Sequence, residues 1–148
     1  MKKVFFILFI CISAAMANGC KKDSKVDGGF IRNYIYVLDD NTLSDAQDYP
    51  VTFPAEGGTR TLKIVSFGYL TIEGSKEGNG FSAEVANDKT SYDEVPFEDY
   101  YKVDRYVQSV NLSATANLST TGKEFTFLIV SCAGDGYAAD FHLNQSGK

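Results

Sequence analysis

The chain has 148 residues, of which 14 are lysine or arginine and 19 are aspartate or glutamate, so its formal net charge at pH 7 is −5. An acidic chain lacks the basic surface that displaces counterions from a nucleic-acid backbone, which argues against DNA or RNA as a partner. The same charge balance argues against docking on anionic lipid through charge alone. The length is sufficient for one domain with its own hydrophobic core.

The first 19 residues have the pattern of an export signal. Lys2 and Lys3 precede an apolar run from Val4 to Ile12, and small residues follow this run. A helix over residues 4–16 would span about 20 Å, which is too short for a bilayer core of about 30 Å. We therefore predict a signal peptide that is removed, rather than a permanent transmembrane anchor.

Two cleavage sites are compatible with this signal. The triplet AMA at residues 15–17 fits cleavage after Ala17, which would release a soluble protein. The sequence ANGC at residues 17–20 resembles a bacterial lipobox, and the KKDS that follows resembles the opening of lipoproteins exported to the surface by Bacteroidetes-type bacteria. We expect the second outcome, with a lipid attached to Cys20 and an anchor in the outer membrane that displays the protein on the cell surface.

The cysteine count agrees with lipid attachment. Cleavage before Cys20 leaves 129 residues, and because two basic residues leave with the signal, the mature net charge is −7. Cys11 lies in the signal and Cys20 carries the lipid, so Cys132 remains as a single thiol that we expect to be buried. If cleavage follows Ala17 instead, Cys20 and Cys132 are both available to form a disulfide.

After the signal, the chain is predicted to begin with a tether and a first strand. Residues 20–29 are charged and glycine-rich, a composition typical of a flexible tether. The apolar run Tyr34–Leu38 predicts a strand, and the acidic stretch Asp39–Asp48 predicts a polar loop or a short helical turn.

The stretch PVTFPAEGGTRTLKIVS, residues 50–66, predicts a β-hairpin. Val51–Phe53 and Thr59–Ser66 flank a turn in which Pro54 fixes one φ angle and two glycines accept the positive φ values of a tight reversal. Apolar and polar residues alternate along the second strand, as expected in a sheet with one solvated face.

The remaining chain predicts further short strands separated by turns. These strands are Phe67–Ile72, Phe81–Ala86, Tyr106–Leu118, Glu124–Cys132 and Tyr137–Asn144. Along Tyr106–Leu118, period-two alternation places Leu118 on the apolar face and Ser109, Asn111 and Asn117 on the polar face. The Asn-Leu-Ser triplets at Asn111 and Asn117 are therefore interpreted as that polar face rather than as glycosylation sites.

Seven to nine short strands without a convincing helix predict an all-β fold. We expect residues 30–148 to form a single domain, an immunoglobulin-like antiparallel β-sandwich. The chain has no tryptophan and no cysteine pair to join two sheets, so an antibody-type domain is excluded.

Two segments carry a resemblance to a known family. FPAEGG at residues 53–58 with the alternating strand after it resembles the opening of BACON domains (Bacteroidetes-associated, carbohydrate-binding, often N-terminal). FHLNQ at residues 141–145 resembles the closing strand of that family, which tends to end in a glutamine. The resemblance covers roughly residues 49–146. It implies an immunoglobulin-like sandwich on a surface or secreted protein, found beside glycan-degrading machinery, with carbohydrate such as mucin glycans as the ligand.

The stretch from Ser91 to Tyr106 is the strongest candidate for a binding site. It combines five acidic residues with five aromatic residues, and the aromatic ones are Tyr92, Phe97, Tyr100, Tyr101 and Tyr106. Aromatic faces pack against the C–H surfaces of sugars while carboxylates accept hydrogen bonds from hydroxyls, so this composition favours carbohydrate. The alternative interpretation is a long strand connection whose aromatic residues cap one end of the sandwich.

The sequence contains no pattern of a catalytic, cofactor or metal site. Its one histidine, His142, falls on the polar face of a predicted strand, and its acidic residues lack the spacing of a calcium loop. We expect a non-catalytic protein without cofactor or metal. The expected partners are the membrane, through the lipid, and a glycan; the alternative is an envelope protein, for which the domain would be a structural or interaction module.

Overall fold

The structure, a computed structural model, describes residues 26–27, 30–32, 34–93, 104–132 and 136–148. These residues form thirteen strands in two sheets and one short 3₁₀ helix, Ala46–Asp48. In chain order the strands are β1 (Val26–Asp27), β2 (Phe30–Arg32), β3 (Tyr36–Asp39), β4 (Thr42–Asp45), β5 (Val51–Phe53), β6 (Gly58–Ser66), β7 (Tyr69–Glu73), β8 (Glu77–Gly78), β9 (Phe81–Val85), β10 (Thr90–Ser91), β11 (Tyr106–Ala114), β12 (Lys123–Cys132) and β13 (Tyr137–Gln145).

The first sheet is organised around β13. Strand β12 pairs with β13 in antiparallel fashion along almost its whole length, and β7 pairs with the outer edge of β12. The other edge of β13 carries two short parallel partners, β2 near Tyr137 and β5 near Leu143. Strand β1 pairs with β2, so one short strand comes from the segment predicted as a tether.

The second sheet is organised around β11. One edge of β11 pairs with β6 over nine residues, and β3 and β4 continue the sheet beyond β6. The other edge is shared by two strands: β10 pairs with the first residues of β11 and β9 pairs with its last five. Strand β8 lies outside β9. The order of this sheet is therefore β4-β3-β6-β11-β9-β8, with β10 also on β11.

One hydrophobic core lies between the two sheets. Phe53, Ile129 and Phe141 of the first sheet and Ile64 and Leu112 of the second are fully buried in the same cluster. Burying each such side chain contributes about 1.5–3 kcal/mol. The predicted all-β sandwich is confirmed, and its sheets are mainly antiparallel.

The predicted hairpin of residues 50–66 is wrong in its pairing. Strand β5 belongs to the first sheet and β6 to the second, so the turn between them carries the chain across the sandwich instead of folding it back on itself. The predicted turn geometry is present: Gly57 has a φ of 79°, Gly58 a φ of 141°, and Gly57 N donates to the carbonyl of Pro54 at 3.0 Å. A glycine-rich turn is compatible with a hairpin and with a crossover between two sheets. The distant pairing of β5 with β13 determines that the crossover forms.

The predicted strand Tyr106–Leu118 ends early. Strand β11 stops at Ala114, and beyond it the period-two assignment fails because Leu118 is 81% exposed while Asn117 is 1% exposed. Asn117 N donates to the carbonyl of Ala55 at 2.7 Å, so the chain here follows the turn after β5 instead of the β11 ladder. Ser109, which the alternation predicts on the solvent face, is also buried.

The acidic segment Asp39–Asp48, predicted as a polar loop or a short helical turn, contains the last residue of β3, all of β4 and the short helix. Strands β3 and β4 form a hairpin whose turn residues, Asp40 and Asn41, have φ values of 43° and 66°. The 3₁₀ helix then begins after Asp45, whose side chain accepts a hydrogen bond from Gln47 N. Among the described residues no helix is long and apolar enough to span a membrane.

Candidate functional site

The structure describes two of the five predicted binding residues. Tyr106 is the first residue of β11, and Tyr92 follows β10, where its backbone N donates to the carbonyl of Arg105 at 2.9 Å. Because Ser91 pairs with Tyr106, the pairing of β10 with β11 brings these two tyrosines to neighbouring positions. Phe97, Tyr100 and Tyr101 lie outside the described residues, as does the predicted lipid-attachment residue Cys20.

Tyr92 and Tyr106 lie at one end of the sandwich, where the first residues of three strands meet the last residues of two. The register places Tyr106 opposite Ser66, Cys132 opposite Tyr69 and Ser131 opposite Tyr137. The ends of β6 and β12 therefore lie beside the starts of β7, β11 and β13. This end, which we call the aromatic end, contains Tyr34 and Tyr69, which are the exposed aromatic residues of the described chain.

The segment between β9 and β10 interrupts the edge of β11, and a side chain repairs the interruption. Ser109 N has no strand to pair with on this edge and donates to Asp88 Oδ1 at 2.8 Å, while Ala86 N donates to the carbonyl of Ser109 at 2.9 Å. The Asp88 carboxylate thus replaces the carbonyl that a continuous strand would supply. The segment covers Ser109, which explains why this serine is only 4% exposed.

Asp88 is held by a second set of contacts. Ser109 Oγ donates to Asp88 Oδ2 at 2.5 Å, and Lys63 Nζ reaches Asp88 Oδ2 at 3.2 Å and Ser109 Oγ at 2.7 Å. The two hydrogen bonds from Ser109, supported by Lys63, lower the pKa of Asp88 from 3.8 to about 2. Asp88 is therefore ionised at neutral pH.

A lysine beside a serine hydroxyl is a pairing that also activates nucleophiles, so its geometry matters. Here the serine proton is donated to Asp88, which holds the lysine as well, and Ser109 is buried under the segment between β9 and β10. A substrate carbonyl has no approach to this hydroxyl. The arrangement of Lys63, Asp88 and Ser109 acts as a clamp that fixes the backbone of residues 86–89.

The clamp positions Lys89. Its Nζ lies 3.4 Å from the centroid of the Tyr69 ring and 3.7 Å from that of Tyr106, so the ammonium group sits between two aromatic rings. Tyr69 belongs to β7 in the first sheet and Tyr106 to β11 in the second, so Lys89 joins the two sheets at the aromatic end. Such cation–π contacts contribute about 0.5–1 kcal/mol each at exposed sites.

Gln108 fixes the second sheet against β7. Its Oε1 accepts from Leu70 N at 3.2 Å, and its Nε2 donates to the carbonyl of Ala86 at 2.6 Å. Gln108 is 5% exposed, so these hydrogen bonds are shielded from water. They hold Tyr69 next to Lys89, and Tyr69 itself remains 62% exposed.

Sequence reasoning missed Tyr69 and Lys89. In the sequence, Tyr69 is one residue of the predicted strand Phe67–Ile72, and Lys89 lies in no predicted element. The two residues come together because β7 and the segment after β9 approach each other across the sandwich, and neither is marked by spacing or periodicity. We call Tyr69, Lys89 and Tyr106 the tyrosine–lysine surface.

A second aromatic cluster lies at the same end. The rings of Tyr34, Phe67 and Tyr137 contact one another with centroid distances of 5.1–5.7 Å. The guanidinium carbon of Arg105 lies 5.1 Å from the Phe67 ring, and burial lowers the pKa of Arg105 from its ordinary value. Arg105 directly precedes Tyr106, so this cluster and the tyrosine–lysine surface lie at the same end of the sandwich.

The opposite end of the sandwich has a different character. An open groove of about 790 Å³ there is lined by polar and glycine residues, namely Asn79, Gly122, Lys123, Glu124, Asn144 and Gln145. It lacks the aromatic faces that pack against sugars. Among the described residues, no three histidine, cysteine or acidic side chains are grouped so that they could hold a metal ion. His142 is exposed, and its Nδ1 lies 2.9 Å from Thr126 Oγ1.

Comparison with protein families found no match, and neither did comparison with curated proteins. Among solved structures, the chain is similar to the Bacteroides ovatus GH5 xyloglucanase in complex with an XXXG heptasaccharide, with 16% sequence identity and a TM-score of 0.34. The match covers 77% of this chain and 19% of the enzyme chain, so this protein spans about a fifth of the length of that enzyme.

Proposed function

We propose that this protein is a non-catalytic, lipid-anchored cell-envelope protein whose BACON-like β-sandwich binds carbohydrate at its aromatic end. The observation that supports this proposal best is the exposed Tyr69 ring beside Lys89 and Tyr106. Sugar rings present C–H faces that pack on aromatic rings, and their hydroxyls bond to neighbouring phenol, ammonium and carboxylate groups. Tyr92 lies opposite Arg105 across the β10–β11 pair and interacts with it electrostatically, so it is not counted as part of this surface.

The rigidity of the surface supports the same proposal. The clamp on Asp88 and the hydrogen bonds of Gln108 fix the positions of Lys89 and Tyr69 before any ligand arrives. A surface that is already ordered loses less conformational entropy when it binds, which improves affinity for a ligand as polar as a glycan.

Affinity gel electrophoresis against a panel of polysaccharides tests carbohydrate binding. We expect at least one polysaccharide to retard the protein and the Tyr69→Ala variant to lose most of that retardation. Leu118→Ala is the matched control, because Leu118 is 81% exposed but belongs to the opposite end of the sandwich. Unchanged retardation of Tyr69→Ala, or none for any polysaccharide, would contradict the proposal.

The lipid anchor needs its own test. Mass spectrometry of the protein from membranes should find Cys20 as the acylated first residue, and Cys20→Ala should release the protein from the membrane fraction. An unmodified terminus at Asn18 would show instead that cleavage follows Ala17.

The alternative, a protein-interaction module of an envelope assembly, has weaker support. The large hydrophobic residue with the highest exposure among the described residues is Leu118. It stands beside Ala55, Ala116 and Lys148 in a small depression. Single exposed leucines are ordinary on protein surfaces, so this feature does not by itself indicate a partner.

A further inference from the structure

We infer that the tyrosine–lysine surface prefers a saccharide that carries a carboxylate, such as a hexuronate or a sialic acid. This inference rests on the proposed carbohydrate binding and adds the chemical class of the sugar. It is based on Lys89, a cation whose ammonium group lies between two aromatic rings on an otherwise acidic protein.

The contrast with Lys63 shows what is unusual about Lys89. Lys63 Nζ has a carboxylate partner in Asp88 at 3.2 Å. Across the described residues, no carboxylate oxygen comes within ion-pair distance of Lys89 Nζ, and its contacts are the faces of Tyr69 and Tyr106. The neighbouring carboxylate of Asp88 is already occupied by Ser109 and Lys63.

Aromatic faces attract an ammonium group without neutralising its charge. The attraction comes from the ring quadrupole, so it leaves the charge uncompensated and leaves N–H groups for an acceptor from outside. A sugar carboxylate that approaches between the rings would form a charge-assisted hydrogen bond, which is stronger than one to a neutral hydroxyl. The sugar ring would then lie against the exposed Tyr69. Lys89 would bind the carboxylate, and Tyr69 would contact the apolar face of the sugar.

The acidic balance of the chain makes such a position selective. With a mature net charge of −7, the protein as a whole repels anions, and general electrostatic attraction does not recruit an acidic glycan. Preference for a carboxylate must therefore come from a local cation. We therefore expect that substitution of Lys89 alone abolishes the preference for acidic sugars.

The test compares acidic sugars with neutral counterparts of the same shape. Isothermal titration calorimetry with the full chain would use oligogalacturonides against their methyl esters and, in a second arm, sialyllactose against lactose. We expect the wild type to bind the acidic member of one pair about three- to tenfold more tightly, which corresponds to a partly exposed ion pair. The arm that shows the difference identifies the type of acid, and added salt should reduce the difference.

Two lysine variants separate a local effect from a change in net charge. Lys89→Met keeps a long side chain between the rings and removes the charge, so the preference for the acid should disappear while weak binding of the neutral sugar remains. Lys76→Met removes the same charge from an exposed position in the loop between β7 and β8 and should keep the preference. Lys89→Arg, which retains the charge, should keep it as well.

The outcomes separate this inference from the proposed function. If a polysaccharide retards the protein but both acidic sugars bind no better than their neutral counterparts, the inference is overturned and carbohydrate binding stands. The inference is also overturned if Lys76→Met lowers the preference as much as Lys89→Met. If no saccharide binds at all, the proposed function fails and the inference fails with it.

Discussion

The side chain of Gln145 donates from Nε2 to the carbonyl of Pro54 at 3.1 Å, across 91 residues of sequence. The same amide donates to the carbonyl of Thr115 at 2.8 Å, and Gln145 is 3% exposed. The last residue of β13 therefore holds the turn that carries the chain from β5 in the first sheet to β6 in the second. The turn at residues 53–58 and the closing strand at residues 141–145 contact each other through this amide.

Gln145→Ala should lower the free energy of unfolding by about 1–3 kcal/mol, because the carbonyls of Pro54, Ala55 and Thr115 lose hydrogen bonds to a buried donor. Urea denaturation followed by fluorescence or circular dichroism measures the change. His142→Ala, on the same strand but exposed, should change stability by no more than about 0.5 kcal/mol. Equal effects of the two substitutions would mean that Gln145 does not hold the turn.

Gly57 and Gly74 form a matched pair that isolates a close backbone approach. Both have a φ of 79°, but a Cβ at Gly57 would collide with the carbonyl of Ala114, while a Cβ at Gly74 meets no atom within 4 Å. Gly74→Ala should cost about 1–2 kcal/mol from the left-handed conformation alone. Gly57→Ala should cost a further 1–3 kcal/mol or so from the collision. Urea denaturation of both variants tests this, and equal losses would contradict it.

The asparagines of the two Asn-Leu-Ser triplets should differ in how much stability they lose on substitution by alanine. Asn117 donates to the carbonyls of Thr121 and Ser146 at 2.8 and 3.1 Å, and its Oδ1 accepts from Ser119 N. Asn117→Ala should therefore lower the free energy of unfolding by about 2–3 kcal/mol. Asn111 is exposed on β11, so Asn111→Ala should cost about 1 kcal/mol or less. Comparable thermal midpoints for the two variants would refute the distinction.

Local patterns predicted the longer strands, such as β6 and β11, because these strands bury one face. The alternation from Thr61 to Ile64 is present as predicted, with Leu62 and Ile64 buried and Thr61 and Lys63 exposed. The pairing of β5 was not predictable, since it depends on β13, about 90 residues away. The early end of β11 was missed because alternation in Ala114–Leu118 continues by coincidence after the ladder stops.

The candidate site was predicted only in part, for a related reason. Tyr92 and Tyr106 attract attention because they belong to an aromatic stretch of sequence. Tyr69 and Lys89 do not, because their proximity is created by the packing of the two sheets and by the clamp on Asp88. A lysine between two tyrosines is a tertiary feature without a linear motif.

The clamp on Asp88 should make stability depend on pH in acid. Hydrogen bonds from Ser109, then Lys63, lower the pKa of Asp88 from 3.8 to about 2 in the folded state. A lowered pKa stabilises the fold fully above about pH 4, and this contribution is lost as the pH falls through about 2. The Asp88 side chain is 41% exposed, so solvent screening limits the contribution to about 1 kcal/mol or less. Thermal melting of the wild type and of Asp88→Asn should therefore differ at neutral pH and converge near pH 2, and a difference that stays constant across this range would show that the carboxylate charge plays no part in holding residues 86–89.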